Sequence, residues 1–293
     1  PSAFKLADAE GNELSASEGI RVPAGDFSAK IMVKVGQLNS KDFPANKKYA
    51  IPLSITGASN YSLIPSQRSA ILLLNRSILS SVAKVSGGEG IRIKPVGMHT
   101  KAEWTIQMSA IYSSLTRSNL TTAYLSNGTG GEFYTRISST AGIQVKNGRD
   151  GDDTWTQIPL QAGKWLHITY VHKDKKTTVY VNGKVQKVFE NSAITFGENS
   201  MIVVGNSGYR NDYLREIRLW DKALTESEIN DYLYLPMDPA TPHLISYLPL
   251  SKKMETKDLK APAGTENVTT KARIEYVENV KFPADELVIV NQE

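Results

Sequence analysis

An acidic, glycine-rich loop lies near the middle of the chain and is followed by a tryptophan. Within residues 147–153 it contains Asp150, Asp152 and Asp153, and Trp155 comes two positions later. Carboxylate and amide oxygens are the hard ligands that Ca²⁺ prefers. An Asp-Gly-Asp sequence is also ordinary turn chemistry, and the loop lacks the downstream glutamate of an EF-hand. Two interpretations therefore stay open, a calcium site and a tight turn.

The same loop offers the residue types that bind a sugar ring. A saccharide packs its C–H groups on an exposed aromatic ring, and flanking amide, carboxylate or guanidinium groups bind its hydroxyls. Trp155 beside Asp152 and Asp153 is predicted to form such a polar and aromatic patch. The other tryptophans lie in strand patterns and are expected in the core. They are Trp104, Trp165 and Trp220.

A second candidate patch occupies residues 206–213. Its polar and aromatic members are Tyr209, Arg210, Asn211, Asp212 and Tyr213. Apolar residues do not recur at a regular spacing in this segment, and none of the five residues is needed to close a hairpin. Functional residues concentrate on loops that a rigid scaffold holds. A ligand-binding loop and a plain connecting loop both fit this pattern.

The composition excludes several classes of function. The chain has 293 residues and no cysteine, which removes disulfides and thiolate metal sites. It contains no Gly-x-Ser-x-Gly elbow, Walker loop or His-Glu-x-x-His motif. The formal net charge is +4, but Lys and Arg alternate with Asp and Glu, so no nucleic-acid partner is expected. No apolar run reaches about 18 residues, so no transmembrane helix is expected.

The elements that position these loops are predicted to be β-strands. Turn residues recur about every eight to twelve positions, which is typical of an all-β chain. The clearest element spans 163–185, where apolar residues alternate with period two and Asn182-Gly183 favours a type I′ turn. We expect His167 there to be structural and His172 to lie at a solvated hairpin tip. Further strands are predicted at 91–93, 104–110, 121–125, 133–137, 142–145, 155–158 and 201–205.

This element also carries a family resemblance. The run Gly163-Lys164-Trp165-Leu166-His167, with Tyr180-Val181-Asn182-Gly183-Lys184 after it, resembles a signature of laminin-G-like domains in the concanavalin A-like lectin/glucanase superfamily. The stretch from Leu214 to Ile229 resembles the closing signature of the same domains. The resemblance implies a jelly-roll sandwich, often with one calcium ion. The family often has Asp where Arg215 stands, and Arg cannot ligate a cation.

The superfamily includes retaining glucanases, which hold two carboxylates about 5 Å apart. Their Glu-x-Asp-x-x-Glu strand pattern is absent from this chain. Glu226 and Glu228 come nearest in spacing, but Thr225 and Glu228 are predicted to form the capping box of a short helix. We therefore expect no catalytic residue and no enzymatic activity.

The chain is predicted to contain three regions. Residues 1–82 are predicted to form an immunoglobulin-like β-sandwich, 88–235 the concanavalin A-like jelly roll, and 236–293 a short C-terminal β extension. The segment Ser80 to Gly90, rich in Ser and Gly, is interpreted as a linker.

The N-terminal region carries a second resemblance. Its Val22-Pro23-Ala24-Gly25 segment and its Tyr49 to Ile55 strand resemble a domain of unknown function. That domain precedes glycan-active or glycan-binding modules in surface lipoproteins of gut Bacteroidetes. The family usually has further strands before this segment, so an N-terminal piece is expected to be missing.

These features together predict a non-catalytic protein that binds an oligo- or polysaccharide at the bacterial cell surface or outer membrane, as part of polysaccharide capture. We expect a monomer and a lipid anchor outside this chain. A structural or protein-interaction module is the first alternative, and an unusual glycoside hydrolase is the second. The predicted ligand-binding residues are Trp155, Tyr209, Arg210, Asn211, Asp212 and Tyr213, and the candidate calcium ligands are Asp150, Asp152 and Asp153.

Overall fold

The structure is a computed structural model, and it describes most of the chain. The described residues are 4–15, 19–36, 38, 42–43, 47–74, 77–88, 90–96, 101–116, 121–124, 133–146, 151–190, 194–197, 199–205 and 209–291. The chain divides into two compact units, residues 1–74 and 75–293.

The first unit holds two small antiparallel sheets. Its strands are β1 (Phe4–Ala7), β2 (Glu13–Leu14), β3 (Met32–Val35), β4 (Tyr49–Ser54) and β5 (Ser69–Leu74). One sheet has the order β2-β1-β3, and β4 pairs with β5 in the other. The strand predicted from Tyr49 to Ile55 is confirmed as β4, while the immunoglobulin-like arrangement of this region stays a prediction.

The second unit is a two-sheet sandwich, which confirms the predicted all-β fold. Its strands are β6 (Ile78–Gly87), β7 (Ile91–Ile93), β8 (Trp104–Ile111), β9 (Thr121–Tyr124), β10 (Phe133–Ser138), β11 (Gly142–Lys146), β12 (Trp165–Lys173), β13 (Lys176–Val181), β14 (Lys184–Glu190), β15 (Met201–Val204), β16 (Tyr209–Trp220), β17 (Leu244–Leu248), β18 (Val268–Thr270) and β19 (Arg273–Phe282). A six-stranded sheet has the order β11-β10-β9-β15-β7-β18. An eight-stranded sheet has the order β14-β13-β12-β8-β16-β6-β19, and β17 also pairs with β16.

The main hydrophobic core lies between these two sheets. Alternate strand residues point into it, as the pleat of a β-strand requires. On β10, for example, Phe133 and Ile137 are buried, while Tyr134 and Arg136 on the opposite face are partly exposed. Fully burying such an apolar side chain contributes roughly 1.5–3 kcal/mol, so this alternation fixes which face of each strand is outward.

The interpretation of Ser80 to Gly90 as a linker is wrong. Most of this segment belongs to β6, which pairs with β16 on one side and β19 on the other. Val82, Ala83 and Val85 are completely buried within it. The strand is hard to recognise in the sequence, because the segment is rich in Ser and Gly and only these few apolar residues indicate a buried strand.

The C-terminal region is part of the sandwich. Strand β18 pairs with β7 in the six-stranded sheet, while β17 and β19 pair with β16 and β6 in the eight-stranded sheet. The predicted β extension therefore adds one strand to the six-stranded sheet and two strands to the eight-stranded sheet.

The predicted hairpin and its turns are confirmed. Strands β12 and β13 are joined at Asp174 and Lys175, and β13 and β14 at Asn182-Gly183, all with positive φ. Helix α1 (Glu226–Asp231) begins with the predicted capping box between Thr225 and Glu228. No helix among the described residues is long and apolar enough to cross a membrane.

The two histidines of β12 are both buried, which confirms one prediction and corrects the other. His167 is structural as predicted, with its Nδ1 2.6 Å from the Ser109 hydroxyl. His172 is not solvated, because the hairpin tip comes two residues later. Its ring stacks on Trp104 at 5.2 Å, and its Nε2 accepts a hydrogen bond from the backbone N–H of Ile194. Burial lowers the pKa of His172 to about 4.

Candidate functional site

Trp155 differs from the other three tryptophans in its exposure. Trp104, Trp165 and Trp220 are at most 2% exposed, which confirms their predicted place in the core. Trp155 is partly exposed and directly follows a 3-10 turn at Asp152–Thr154. An aromatic side chain of this size is usually well buried, so its partial exposure at the edge of a rigid sandwich marks a candidate binding surface.

Backbone pairing fixes Trp155 against the edge of the six-stranded sheet. Trp155 forms an antiparallel bridge with Gln144 of β11. The next residue, Thr156, donates its backbone N–H to the Ile143 carbonyl at 2.9 Å. Its side-chain oxygen accepts the Ile143 N–H at 3.0 Å. Gly142 permits this approach, because a Cβ there would lie 2.2 Å from Thr156 Oγ1.

A lysine from the other sheet holds the same segment. The Nζ of Lys187, on edge strand β14, donates to the carbonyl oxygens of Asp153 and Trp155 at 2.9 and 2.7 Å. The segment from Asp152 to Thr156 therefore joins an edge of each sheet. Trp155 has a defined position because both sheets hold its backbone.

The strand register aligns Trp155 with polar residues on the outer face of the six-stranded sheet. Gln144 pairs with Trp155 on one side and with Arg136 on the other. Paired residues of antiparallel strands point to the same face. The neighbouring outward pair on β10 and β11 is Tyr134 and Lys146. We call these five residues, Tyr134, Arg136, Gln144, Lys146 and Trp155, the Trp155 face.

Two cations flank the tyrosine of the Trp155 face. The Arg136 guanidinium carbon lies 5.9 Å from the centroid of the Tyr134 ring, and the Lys146 ammonium lies 5.4 Å from it. Both distances suit a cation–π interaction. The Gln144 amide donates to the Thr154 hydroxyl at 2.8 Å, which orients the amide beside Trp155. The partly exposed groups of the face are therefore the two aromatic rings and the Arg136 guanidinium, whereas Gln144 and Lys146 are only 2% and 7% exposed.

The acidic loop shows only part of the predicted calcium site. Asp152 and Asp153 are exposed, and Asp150 lies outside the described residues. The main-chain carbonyl of Asp152 accepts hydrogen bonds from the Trp155 N–H and the Gln157 amide, which is the behaviour of a turn. Among the described residues, no group of three or more His, Cys, Asp or Glu could hold a metal ion.

The second predicted patch is largely structural. The prediction that Tyr209 and Asp212 bind a ligand is corrected. Tyr209 is buried in the main core, and its hydroxyl donates to the Val204 carbonyl at 2.6 Å. Asp212 is fully buried, and its carboxylate accepts from the backbone N–H of Ser113 and of Arg210. Neither side chain is available to a ligand here, because each satisfies a buried partner.

The remaining members of that patch are Arg210 and Asn211, which are exposed, and Tyr213, which is partly exposed. They belong to β16 of the eight-stranded sheet, whereas Trp155 adjoins the six-stranded sheet. The structure does not bring the two predicted patches together. Residues 206–208 of the predicted loop lie outside the described residues.

A third cluster of charged residues occupies the outer face of the eight-stranded sheet. Arg218 donates to Glu216 at 2.6 Å, and Arg215 donates to the same carboxylate at 3.2 Å. All three side chains are at most 5% exposed. The arginines also donate to the main-chain carbonyls of Tyr232, Tyr234 and Leu235. This cluster fastens the connector after α1 to the sheet.

Sequence reasoning found Trp155 but missed the other four residues of the Trp155 face. Two of the four could have been found from the alternation on β10. Apolar Phe133 and Ile137 point inward there, so Tyr134 and Arg136 point outward. The residues that align with them across the sheet, Gln144 and Lys146, could not be identified without the register between β10 and β11.

Comparisons with known proteins agree with this fold. Residues 86–230 match a laminin-G family model described as concanavalin A-like lectin/glucanases superfamily, so this part of the chain is a concanavalin A-like domain. The chain is similar to a crystal structure from Bacteroides ovatus ATCC 8483 of a proposed carbohydrate-binding protein. The two are 18% identical with a TM-score of 0.55, and the match covers 97% of this chain and 80% of that chain.

Two further solved structures are more distant. One is a heptameric SAP-like pentraxin from Limulus polyphemus, 13% identical with a TM-score of 0.45, covering 68% of this chain and 94% of that chain. The other is domain 4 of the arabinanase AbnA from Geobacillus stearothermophilus in complex with arabinotriose. It is 15% identical with a TM-score of 0.41, and the match covers 62% of this chain and 86% of that chain. A comparison with curated proteins gave no match.

Proposed function

We propose that this protein is a non-catalytic glycan-binding protein and that the Trp155 face is its binding surface. The observation that carries the proposal is the row formed by Trp155, Gln144 and Arg136 across the sheet edge. Trp155 and Arg136 are both partly exposed, so an aromatic ring for sugar C–H groups lies on the same face as a guanidinium for sugar hydroxyls, and Gln144, which is 2% exposed, lies between them. These are the groups that saccharide binding requires.

The dimensions of this row suit a sugar. Adjacent strands lie about 4.8 Å apart, so the Cα atoms of Trp155 and Arg136 are separated by roughly 10 Å. A pyranose ring stacked on Trp155 would place its hydroxyls near Arg136. The fold shared with the Bacteroides ovatus protein is consistent with this function.

The proposal includes no catalytic step. The partly exposed groups of the arrangement are aromatic rings and a guanidinium, which bind and orient a ligand. Retaining glycoside hydrolysis instead needs two carboxyl groups about 5 Å apart. Glu226 and Glu228, the nearest match in sequence, lie on helix α1, where Glu228 accepts the Thr225 N–H at 2.9 Å as a helix cap.

Affinity electrophoresis through gels that contain single polysaccharides tests the binding proposal. We expect the parent protein to be retarded by at least one polysaccharide, and Trp155→Ala to weaken that retention by about tenfold or more, as for other aromatic anchors. Tyr213→Ala is the matched control, because Tyr213 is a partly exposed aromatic residue on the other sheet. If no polysaccharide retards the parent, or if only Tyr213→Ala loses retention, the proposal is wrong.

The same proposal places the protein at the outer surface of a bacterial cell, in polysaccharide capture. It rests on the resemblance of the N-terminal region to surface lipoproteins and on the glycan-binding proposal. Antibody labelling of intact cells should detect the protein in its native host. Labelling only after the cells are broken would contradict this location.

A further inference from the structure

The two aromatic rings of the Trp155 face lie too far apart for one sugar to contact both. Trp155 pairs with Gln144 on β11, and Tyr134 pairs with Lys146, two positions further along the same strand. Trp155 lies on one side of β11 and Tyr134 on the other. With strands about 4.8 Å apart and about 3.4 Å per residue along a strand, the Cα atoms of Trp155 and Tyr134 are separated by roughly 12 Å. A single pyranose ring, which is similar in width to one aromatic ring, does not span this separation.

Both rings are accessible from outside the sandwich. Trp155 and Tyr134 are partly exposed. The two residues of β11 that lie between them, Gln144 and Lys146, are only 2% and 7% exposed. These two side chains therefore form a low floor between the rings, and a saccharide chain can cross β11 from one ring to the other.

Two cations orient the Tyr134 ring without covering it completely. The Arg136 guanidinium carbon and the Lys146 ammonium lie 5.9 and 5.4 Å from the ring centroid. Atoms in van der Waals contact are about 3.5–4.0 Å apart, so neither cation packs directly on the ring. Their attraction to the ring restricts its rotation, and part of the side chain stays exposed.

The backbone fixes the spacing of the two rings. Tyr134 belongs to β10, which pairs with both β9 and β11, and its neighbours Phe133 and Thr135 are completely buried. The backbone of Trp155 is held by its bridge to β11 and by the Lys187 ammonium. Groups that are already in position lose little entropy when a ligand binds, so the two rings form a preorganised pair.

We infer that the Trp155 face binds an extended stretch of a glycan chain, with one sugar unit on Trp155 and a separate unit on the Tyr134 ring. This inference rests on the proposed glycan-binding function and names the form of the ligand, which is a chain and not a single terminal sugar. Arg136 lies two residues from Tyr134 on β10, or about 7 Å along the strand, so its guanidinium borders the same path and can donate to sugar hydroxyls.

Calorimetric titration with saccharides of increasing length tests the inference. The probes are size-fractionated fragments of cellulose, xylan, amylose and arabinan, and of any other polysaccharide that retards the parent, from the monosaccharide to the hexasaccharide. In at least one series, the affinity of the parent should rise about fivefold or more with length, as expected for one further aromatic contact. The affinity should then level off once the chain covers both rings.

Tyr134→Ala should lose most of this gain, so that its affinity for the hexasaccharide falls about fivefold. Tyr134→Phe keeps the ring and should retain the gain. Tyr213→Ala is the matched control, because Tyr213 is a partly exposed aromatic residue of the eight-stranded sheet. All titrations are made at a temperature where each variant is fully folded. The inference is overturned if Tyr134→Ala gains as much with length as the parent, or if Tyr134→Phe loses as much as Tyr134→Ala.

The outcomes separate this inference from the function beneath it. If the parent binds a monosaccharide as tightly as the hexasaccharide of the same series, the inference is wrong and the glycan-binding proposal stands. If the parent binds no saccharide of any length and no polysaccharide, the proposed function fails, and the inference fails with it.

Discussion

The two sheets of the sandwich both carry cations on their outer faces, but they place them in opposite surroundings. On the eight-stranded sheet, Arg215 and Arg218 share the Glu216 carboxylate and donate to carbonyls of the covering connector. On the six-stranded sheet, Arg136 and Lys146 flank Tyr134, and no strand of that sheet supplies a carboxylate. The same residue types therefore lie beneath a covering segment on one sheet, whereas on the other Arg136 is partly exposed.

A backbone irregularity explains the covered cluster. Between Arg215 and Arg218 strand β16 has one more residue than β8, and Glu216 there has a φ of 57°. The bulge puts both arginines on the outer face, since without it residues three positions apart would point to opposite faces. Covering segments then exclude water, and burial lowers the pKa of Arg215.

Removing the shared carboxylate should have the largest effect on stability. Glu216→Gln leaves Arg215 and Arg218 buried without a counter-charge, so the free energy of unfolding should fall by about 3–5 kcal/mol. Urea unfolding measures the change. The control is Glu226→Gln, at an exposed position of α1. It should change the free energy of unfolding by less than about 0.5 kcal/mol. Similar losses in the two variants would contradict the structural role of the cluster.

The covered face should also be sensitive to acid. Burial, with the charges of Arg215 and Arg218, lowers the pKa of His167 from 6.5 to about 3. Below pH 6.5 the unfolded chain therefore binds a proton that the folded protein does not, so stability falls as the pH decreases. At pH 5 this one residue should cost about 2 kcal/mol relative to pH 8.

Thermal unfolding between pH 8 and pH 5 checks the acid effect. His167→Asn should make the decrease in unfolding temperature smaller, because Asn binds no proton in the unfolded chain over this pH range. An unchanged slope in His167→Asn would show that this imidazole does not stay neutral in the folded protein.

A smaller effect is expected where Trp155 joins the six-stranded sheet. Gly142→Ala places a Cβ 2.2 Å from Thr156 Oγ1 and 2.4 Å from the Ile158 carbonyl, so it should displace the segment after Trp155. We expect a loss of about 1–3 kcal/mol, together with weaker glycan binding. Gly163→Ala is the control, because its φ of 76° is similar and it has no neighbour within 4 Å. Equal losses would attribute the effect to backbone strain alone.

Much of the fold could be predicted from the sequence, because it depends on local patterns. Period-two alternation and the Asn182-Gly183 turn identified the β12–β14 hairpins, and Thr225 with Glu228 identified the helix cap. Strand β6 was missed because the serines and glycines at its two ends resemble a linker. Its burial depends on pairing with β16 and β19, which lie more than 100 positions away in sequence.

The candidate site was less predictable, for physical reasons. Trp155 stood out because it directly follows an acidic, glycine-rich loop that contains Asp152 and Asp153. Tyr209 and Asp212 looked like loop ligands, since their types suit a binding site, but only the structure shows that Val204 and Ser113 occupy their polar groups. Which polar side chains are already satisfied depends on tertiary contacts that sequence spacing does not reveal.

The central claim is that the Trp155 face binds glycan while the cluster of Arg215, Glu216 and Arg218 maintains the fold. The most direct measurement is the affinity of the parent, Trp155→Ala and Tyr213→Ala for the polysaccharide that retards the parent most strongly. The claim predicts that Trp155→Ala loses about tenfold or more in affinity at a temperature where the variant is still fully folded, and that Tyr213→Ala binds like the parent. Unaltered binding by Trp155→Ala would contradict it.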